Sequence, residues 1–149
     1  IVIAQNQSLS EYERTGIEVD GILTSQLLIN IFEHNTPLHD GAVVVNGNRV
    51  TSATCYLPLS DNMELSKDLG TRHRAGVGIS EVTDSLTIIV SEETGKVSVA
   101  YDGKLESGLT ADRLTARLTS FVNRMPEEDK RHIKSQLKNR IRRKGGNRE

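Results

Sequence analysis

A single cysteine, Cys55, stands in a chain of 149 residues. No internal disulfide can form, and one thiol is compatible with a reducing compartment. Cys55 lies in an alternating run, which predicts a thiol buried in the core. Cysteine pairs and histidine-rich clusters are missing, so the pattern of a structural zinc site is absent. No apolar run approaches the length of a membrane-spanning helix, and no signal peptide is visible. An excess of either charge is lacking too. The formal net charge is −1, so no overall field draws the chain to nucleic acid or to a membrane. There is no internal repeat and no low-complexity segment, and the length suits one domain with a sizeable core. An initiator methionine is absent as well. The chain opens on Ile1-Val2-Ile3-Ala4, an apolar run of strand character, which is the expectation for a piece cut from something longer.

What is present reads as alternating helices and strands. Ser8 and Glu11 have the spacing of a capping box, which predicts a short helix ending at Gly16. Residues 17–23 read as a polar-apolar connector. Thr24 or Ser25 should cap a helix that puts Leu27, Leu28, Ile31 and Phe32 on one face, and Asn35-Thr36-Pro37 should end it. Val43 to Val45 predicts a strand, Asn46-Gly47-Asn48 a hairpin turn, and Arg49 to about Leu57 the return strand, stopped by Pro58. Ser60 to Ser66 is polar, a loop or a short helical turn. A helix is expected from Thr71 to about Val82. Leu86 to Val90 is nearly all apolar and fits a central strand buried on both faces. Ser91 to Gly95 turns the chain, Lys96 to Tyr101 alternates back, and Asp102-Gly103 turns again. Thr110 begins a helix whose Leu114, Leu118, Phe121, Val122 and Met125 form a core-facing stripe. The fold class expected is α/β, mixed α+β, with a central mixed sheet flanked by helices.

Two short stretches carry chemistry. Gly70-Thr71-Arg72-His73-Arg74-Ala75-Gly76-Val77-Gly78 sets two guanidiniums and an imidazole side by side. Arginine presents a planar fork of donors that matches phosphate oxygens in pairs. Gly70 permits a tight turn, Thr71 can cap the helix, and a helix start suits anions. Gly76 and Gly78 are poor helix formers, and their use is close approach of another backbone or a ligand. The residues alone leave a solvated basic turn equally open. The second stretch is Pro37-Leu38-His39-Asp40-Gly41-Ala42, just before the strand at Val43. Its carboxylate suits a divalent metal or the proton of a hydroxyl, and the small residues leave room above it. The plain alternative is a turn aspartate bonded to its own backbone.

Together, Asp40-Gly41-Ala42 and Arg72-His73-Arg74 resemble the signature pair of diadenylate cyclase domains, and the resemblance runs from about Ile1 to Leu109. It takes in Tyr56-Leu57-Pro58-Leu59-Ser60, Gly78-Ile79-Ser80-Glu81, Val90-Ser91-Glu92-Glu93-Thr94-Gly95 and Tyr101-Asp102-Gly103-Lys104-Leu105. The pattern is most similar to the membrane-anchored housekeeping type of Gram-positive bacteria. The resemblance implies joining of two ATP into cyclic di-AMP with a divalent metal, Mg2+ or Mn2+. It implies Asp40 as metal ligand and activator of the attacking hydroxyl, with His39 as a second metal ligand. Arg72, Arg74 and Thr71 would hold the triphosphate beside Gly70, and Gly41 and Ala42 would let the nucleotide lie close. His73 belongs to the motif, though alone it reads equally as a structural donor. Tyr56 and the Leu57 backbone would meet adenine, with Ser91 and one of Glu92 and Glu93, of which Glu93 is favoured, completing the site. It further implies a face-to-face homodimer for catalysis, and a parent protein at the cytoplasmic face of the membrane, regulated by protein partners.

Three functions of different classes follow. The first is the cyclase, with residues 1–125 as catalytic domain and residues 126–149 as a basic C-terminal helix or tail. The second is a nucleotide-binding module of the same fold without catalysis. The third is a nucleic-acid binder using the tail, for which strong salt dependence would be the sign. In the tail, Glu127, Glu128 and Asp129 precede the Arg and Lys residues, and Ile133, Leu137 and Ile141 make a narrow stripe. This fits a solvated terminal helix that frays after Gly145, or a basic arm for nucleic acid, a membrane surface or an acidic partner. No aromatic residue interleaves its charges, so nucleic acid is not the expected partner.

Overall fold

The computed structural model describes residues 1–125 together with Glu127, Glu128 and Lys130. The expected terminal helix, with Ile133, Leu137, Ile141 and Gly145, lies outside the described residues. Seven strands form one mixed sheet: β1 (Val2–Ile3), β2 (Ile17–Ile22), β3 (Ala42–Asn46), β4 (Arg49–Cys55), β5 (Leu86–Val90), β6 (Val97–Tyr101) and β7 (Lys104–Glu106). Their spatial order is β2-β4-β3-β1-β5-β6-β7. The first strand of the chain is therefore the middle of the sheet. It pairs parallel to β3 and antiparallel to β5, with Val2 opposite both Val44 and Thr87. Four helices cover the two faces: α1 (Ser10–Glu13), α2 (Ser25–Ile31), α3 (Thr71–Val82) and α4 (Ala111–Val122).

Alternation along the strands distributes the core. Val43 and Val45 face α2 with Ile31, Leu27 and Leu28. Val44, between them, faces the other way with Val2, Leu9, Cys55 and Ile79. In the second half, Leu86 and Val99 meet α4 through Phe121, Met125, Leu114 and Leu118. Ile89 and Ala100 meet α3 through Val77. The layering is helix, sheet, helix, as the apolar patterns required. Cys55 is buried, as expected, and burial with the nearby Glu13 carboxylate pushes its thiol up to about 11.

Several local expectations are corrected. Residues 17–23 are no connector, because Ile17–Ile22 is the edge strand β2, paired with β4. Its pattern is weak because it is exposed and bulged, with Asp20 at φ 44 held by Arg49. The capping box does not form. α1 starts from Leu9 without a side-chain cap, and Ser8 Oγ accepts instead from Ser10 N at 3.3 Å. Gly70, not Thr71, is the N-cap of α3. β5 is interior, but β1 holds the centre, and Val90 at its end is exposed. β7, beyond the Asp102-Gly103 turn, was not anticipated from so polar a stretch. Two caps form as expected: Thr24 caps α2 by accepting from Leu27 N at 3.1 Å, and Thr110 caps α4 in the same way, whereas Phe32 at the end of α2 is exposed rather than packed with Leu27, Leu28 and Ile31.

Candidate active site

One end of the sheet gathers the chemistry. The start of β3, the end of β4 and the end of β5 all lie there, because β3 runs antiparallel to β4, and β1 links β3 to an antiparallel β5. The N-terminus of α3 comes to the same end. Its first residues put Arg72 on Asp40: Nη2 lies 3.7 Å from Asp40 Oδ1. The same guanidinium contacts Glu92 at 2.5 Å between Nη1 and Oε2. The structure thus brings Glu92, rather than Glu93, to Arg72. The Glu92 carboxyl is held below the ordinary carboxylate value by the Arg72 hydrogen bond and charge, helped by the imidazoles of His39 and His34.

His39 sits on a short turn after α2. Its Nδ1 donates to the Thr36 carbonyl oxygen at 2.5 Å, so in the neutral ring Nε2 carries the lone pair. That is the tautomer a metal ligand needs. Asp40 beside it is almost wholly exposed and supplies hard oxygens. Magnesium and manganese sites on triphosphates commonly use one or two protein groups, with phosphate oxygens and water in the other positions. His39 and Asp40 fit that donor set. His34 meets His39 edge-to-face, ring centroids 5.8 Å apart. It escaped the sequence reading, and its only signal was its position five residues before His39.

Backbone geometry holds this corner. Gly41 has φ 94, and a Cβ there would lie 2.9 Å from the backbone of Thr54. The room that Gly41 leaves is filled by β4 on that side. Thr54 itself has φ 59, rare for a β-branched residue, where the β3–β4 register shifts. Ala42 begins β3 and packs against the Val44 cluster. Such strain collects at functional sites.

The remaining residues are arranged around this corner to different degrees. Arg74 does not share Arg72's direction, since residues two apart on a helix point apart. Its Nη1 lies 3.5 Å from the Asn62 carbonyl oxygen. His73 is half-buried, and no hydrogen bond joins it to the other site residues among those described. Gly70 has open space around it, and Thr71 is exposed. Tyr56 is 76% exposed just past β4, and its backbone N–H is taken by Thr15 Oγ1 at 2.8 Å. The Leu57 backbone makes no hydrogen bond among the described residues. Ser91 closes the turn after β5: its N–H donates to Lys96 O, and its Oγ accepts from Thr94 N. The two helix glycines have a structural use. Five consecutive residues, Gly76 to Ser80, are buried because α3 is covered by the sheet on one side and by residues 58–60 on the other.

Comparison with known proteins places the chain in a family. The family described as DAC, DisA bacterial checkpoint controller nucleotide-binding, matches residues 1–105. The chain is 57% identical over 118 residues to a cyclic di-AMP synthase, CdaA, of Bacillus subtilis (strain 168), covering 79% of this chain and 43% of that one. It is 55% identical over 114 residues to a diadenylate cyclase of Listeria monocytogenes serotype 1/2a (strain 10403S), covering 76% and 42%. A crystal structure of a DacA double mutant from Staphylococcus aureus matches with TM-score 0.79 at 48% identity over 80% of each chain. A structure titled as a hypothetical membrane spanning protein from Bacillus cereus matches with TM-score 0.70 at 44% identity, over 73% of this chain and 53% of that one. The chain spans less than half the length of the two curated relatives.

Proposed function

The chain belongs to the diadenylate cyclase family, and from that premise we propose that it condenses two ATP into cyclic di-AMP, a second messenger, releasing two pyrophosphates. The observation that carries this reading is the meeting of the two motifs, with Asp40 Oδ1 and Arg72 Nη2 3.7 Å apart. In each half-reaction a ribose 3′-hydroxyl of one ATP attacks the α-phosphorus of the other. The new O–P bond forms as the bond to pyrophosphate breaks. Little covalent work falls to the protein, which must align the nucleotides and stabilise charge.

Asp40 activates the hydroxyl and, with His39, holds the divalent cation. That cation, Mg2+ or Mn2+, neutralises triphosphate charge when bound. Arg72 pairs with phosphate oxygens, as do Arg74 and Thr71, beside the open N-terminus of α3 at Gly70. His73 keeps its place in the motif without an assigned proton. Tyr56 lies against adenine, whose edge meets the free Leu57 backbone. Gly41 and Ala42 keep the nucleotide close to the strand, Ser91 borders the triphosphate, and Glu92, the glutamate that reaches Arg72, takes the place expected of Glu93. Cyclic di-AMP is symmetric and the chain has one copy of each motif, so two chains meet face to face about a two-fold axis.

In the cell we place the domain at the cytoplasmic face of the membrane, within a longer parent under the control of protein partners. The resemblance to the anchored type and the Bacillus cereus match support this. Among the described residues no helix is long and apolar enough to cross a membrane. The test is direct: the protein is incubated with ATP and Mg2+ or Mn2+, and the product is identified by mass. Cyclic di-AMP is expected. ATP that is bound but returned unchanged would make the chain a binding module instead.

A further inference from the structure

Arg72 touches two carboxylates that come from different parts of the chain, Asp40 before β3 and Glu92 after β5. The Asp40 and Glu92 side chains are 82% and 67% exposed, so packing does little to place them. The guanidinium is what faces both. Two carboxylates and an imidazole with a free Nε2 are the donors a divalent cation collects. Yet among the described residues no three His, Cys, Asp or Glu side chains are grouped to hold a metal ion. A positive group already lies between the two carboxylates.

We propose that Arg72 is a placeholder cation: in the nucleotide-free chain it occupies the ground between Asp40 and Glu92, and phosphate oxygens draw it away so that the metal can enter. This rests on the reading of the corner as a site for ATP and metal. Ion pairs as exposed as these are weak and exchange readily. A triphosphate offers more negative charge than either carboxylate, and oxygens spaced for the guanidinium fork. Once Arg72 turns to the phosphates, Asp40 and Glu92 lose their cation at the moment a metal arrives with the nucleotide. Removal of Arg72 then has opposite effects on the two ligands. Nucleotide binding weakens, and binding of the metal alone strengthens.

The experiment is a Mn2+ titration followed by the electron spin resonance of the free ion, on the native chain and on Arg72→Ala and Arg72→Gln. Each is measured alone and with an ATP analogue whose α,β bridge is a methylene. Removing a unit charge about 5 Å from a divalent ion in water-like surroundings should tighten Mn2+ binding about tenfold in both variants. Adding Glu92→Gln to Arg72→Ala should cancel most of that gain. In the native chain the analogue should tighten Mn2+ binding, and in the Arg72 variants it should do so much less. Circular dichroism and melting curves check that each variant is folded. Folded Arg72 variants that bind Mn2+ no more tightly than the native chain would overturn the placeholder. A native chain that fails to bind the analogue would overturn the nucleotide reading, and with it the exchange.

Discussion

Gly78→Ala sets two magnitudes against each other. Alanine is the better helix former, so propensity alone predicts a gain of about 1 kcal/mol. The structure predicts the reverse. A Cβ at Gly78 would lie 2.0 Å from Pro58 O, 2.7 Å from Pro58 C and 2.8 Å from Ser60 N. All three are backbone atoms, so no side-chain rotation relieves the clash. To restore contact distance, residues 58–60 must retreat by about 1 Å or more. They are fixed to α3 through Ser60 N donating to Arg74 O at 2.9 Å and Ser60 Oγ donating to Glu81 Oε1 at 2.6 Å. Overpacking costs about 1–3 kcal/mol and each weakened hydrogen bond about 1 kcal/mol. Against the propensity gain, the net is a loss of about 2–4 kcal/mol, or a Tm lower by roughly 4–16 °C. Urea unfolding and thermal melting measure it. Gly76→Ala should cost less, because its nearest atoms are the Ile89 side chain at 2.7 and 2.8 Å, which can turn. The displaced segment follows directly on Tyr56-Leu57, so ATP affinity of the Gly78 variant should fall as well. A Gly78→Ala chain as stable as the native one would refute the close packing of α3 on residues 58–60.

Asp40→Asn should abolish cyclic di-AMP formation while ATP binding is at least partly kept; full activity would remove the carboxylate from the mechanism. Arg72→Ala should weaken ATP binding by about 1.5–3 kcal/mol, the scale of a charge-assisted hydrogen bond. Arg72→Lys should recover only part of this in calorimetry, since it lacks the fork. Activity per chain should rise with protein concentration across the range where dimers form, and a concentration-independent specific rate from a monomer would contradict the face-to-face arrangement.

The candidate site could be read as two motifs because its chemistry resides in residue types packed into short stretches. Arg72-His73-Arg74 and His39-Asp40 could be named without knowing where the chain turned. The choice between Glu92 and Glu93 could not, since neighbouring residues of a turn point apart and only the tertiary path decides which one reaches Arg72. β3 and β5 were readable from runs such as Val43-Val44-Val45, where burial on both faces demands apolar residues. β2 was hidden because an edge strand is under no such demand. Glu18, Asp20 and Gly21 satisfy the bulge and the solvent rather than a core. Gly41 taught something different. Its small size was assigned to a nucleotide, and much of the need for it comes from the neighbouring strand at Thr54.

The placing of β1 bears on how the site comes into being. Hairpin β3–β4 and meander β5–β6–β7 are each local in sequence and can pair without the rest of the sheet. Val2 and Ile3 precede the other strands in sequence, yet their partners lie around residues 44 and 87. Closing loops that long costs chain entropy before the contacts repay it, so this seam is expected to form late. Asp40 rides on one half and Glu92 on the other. Until two residues of β1 zip the halves together, each half can hold its own strands, but the corner that holds Arg72 between two carboxylates does not exist.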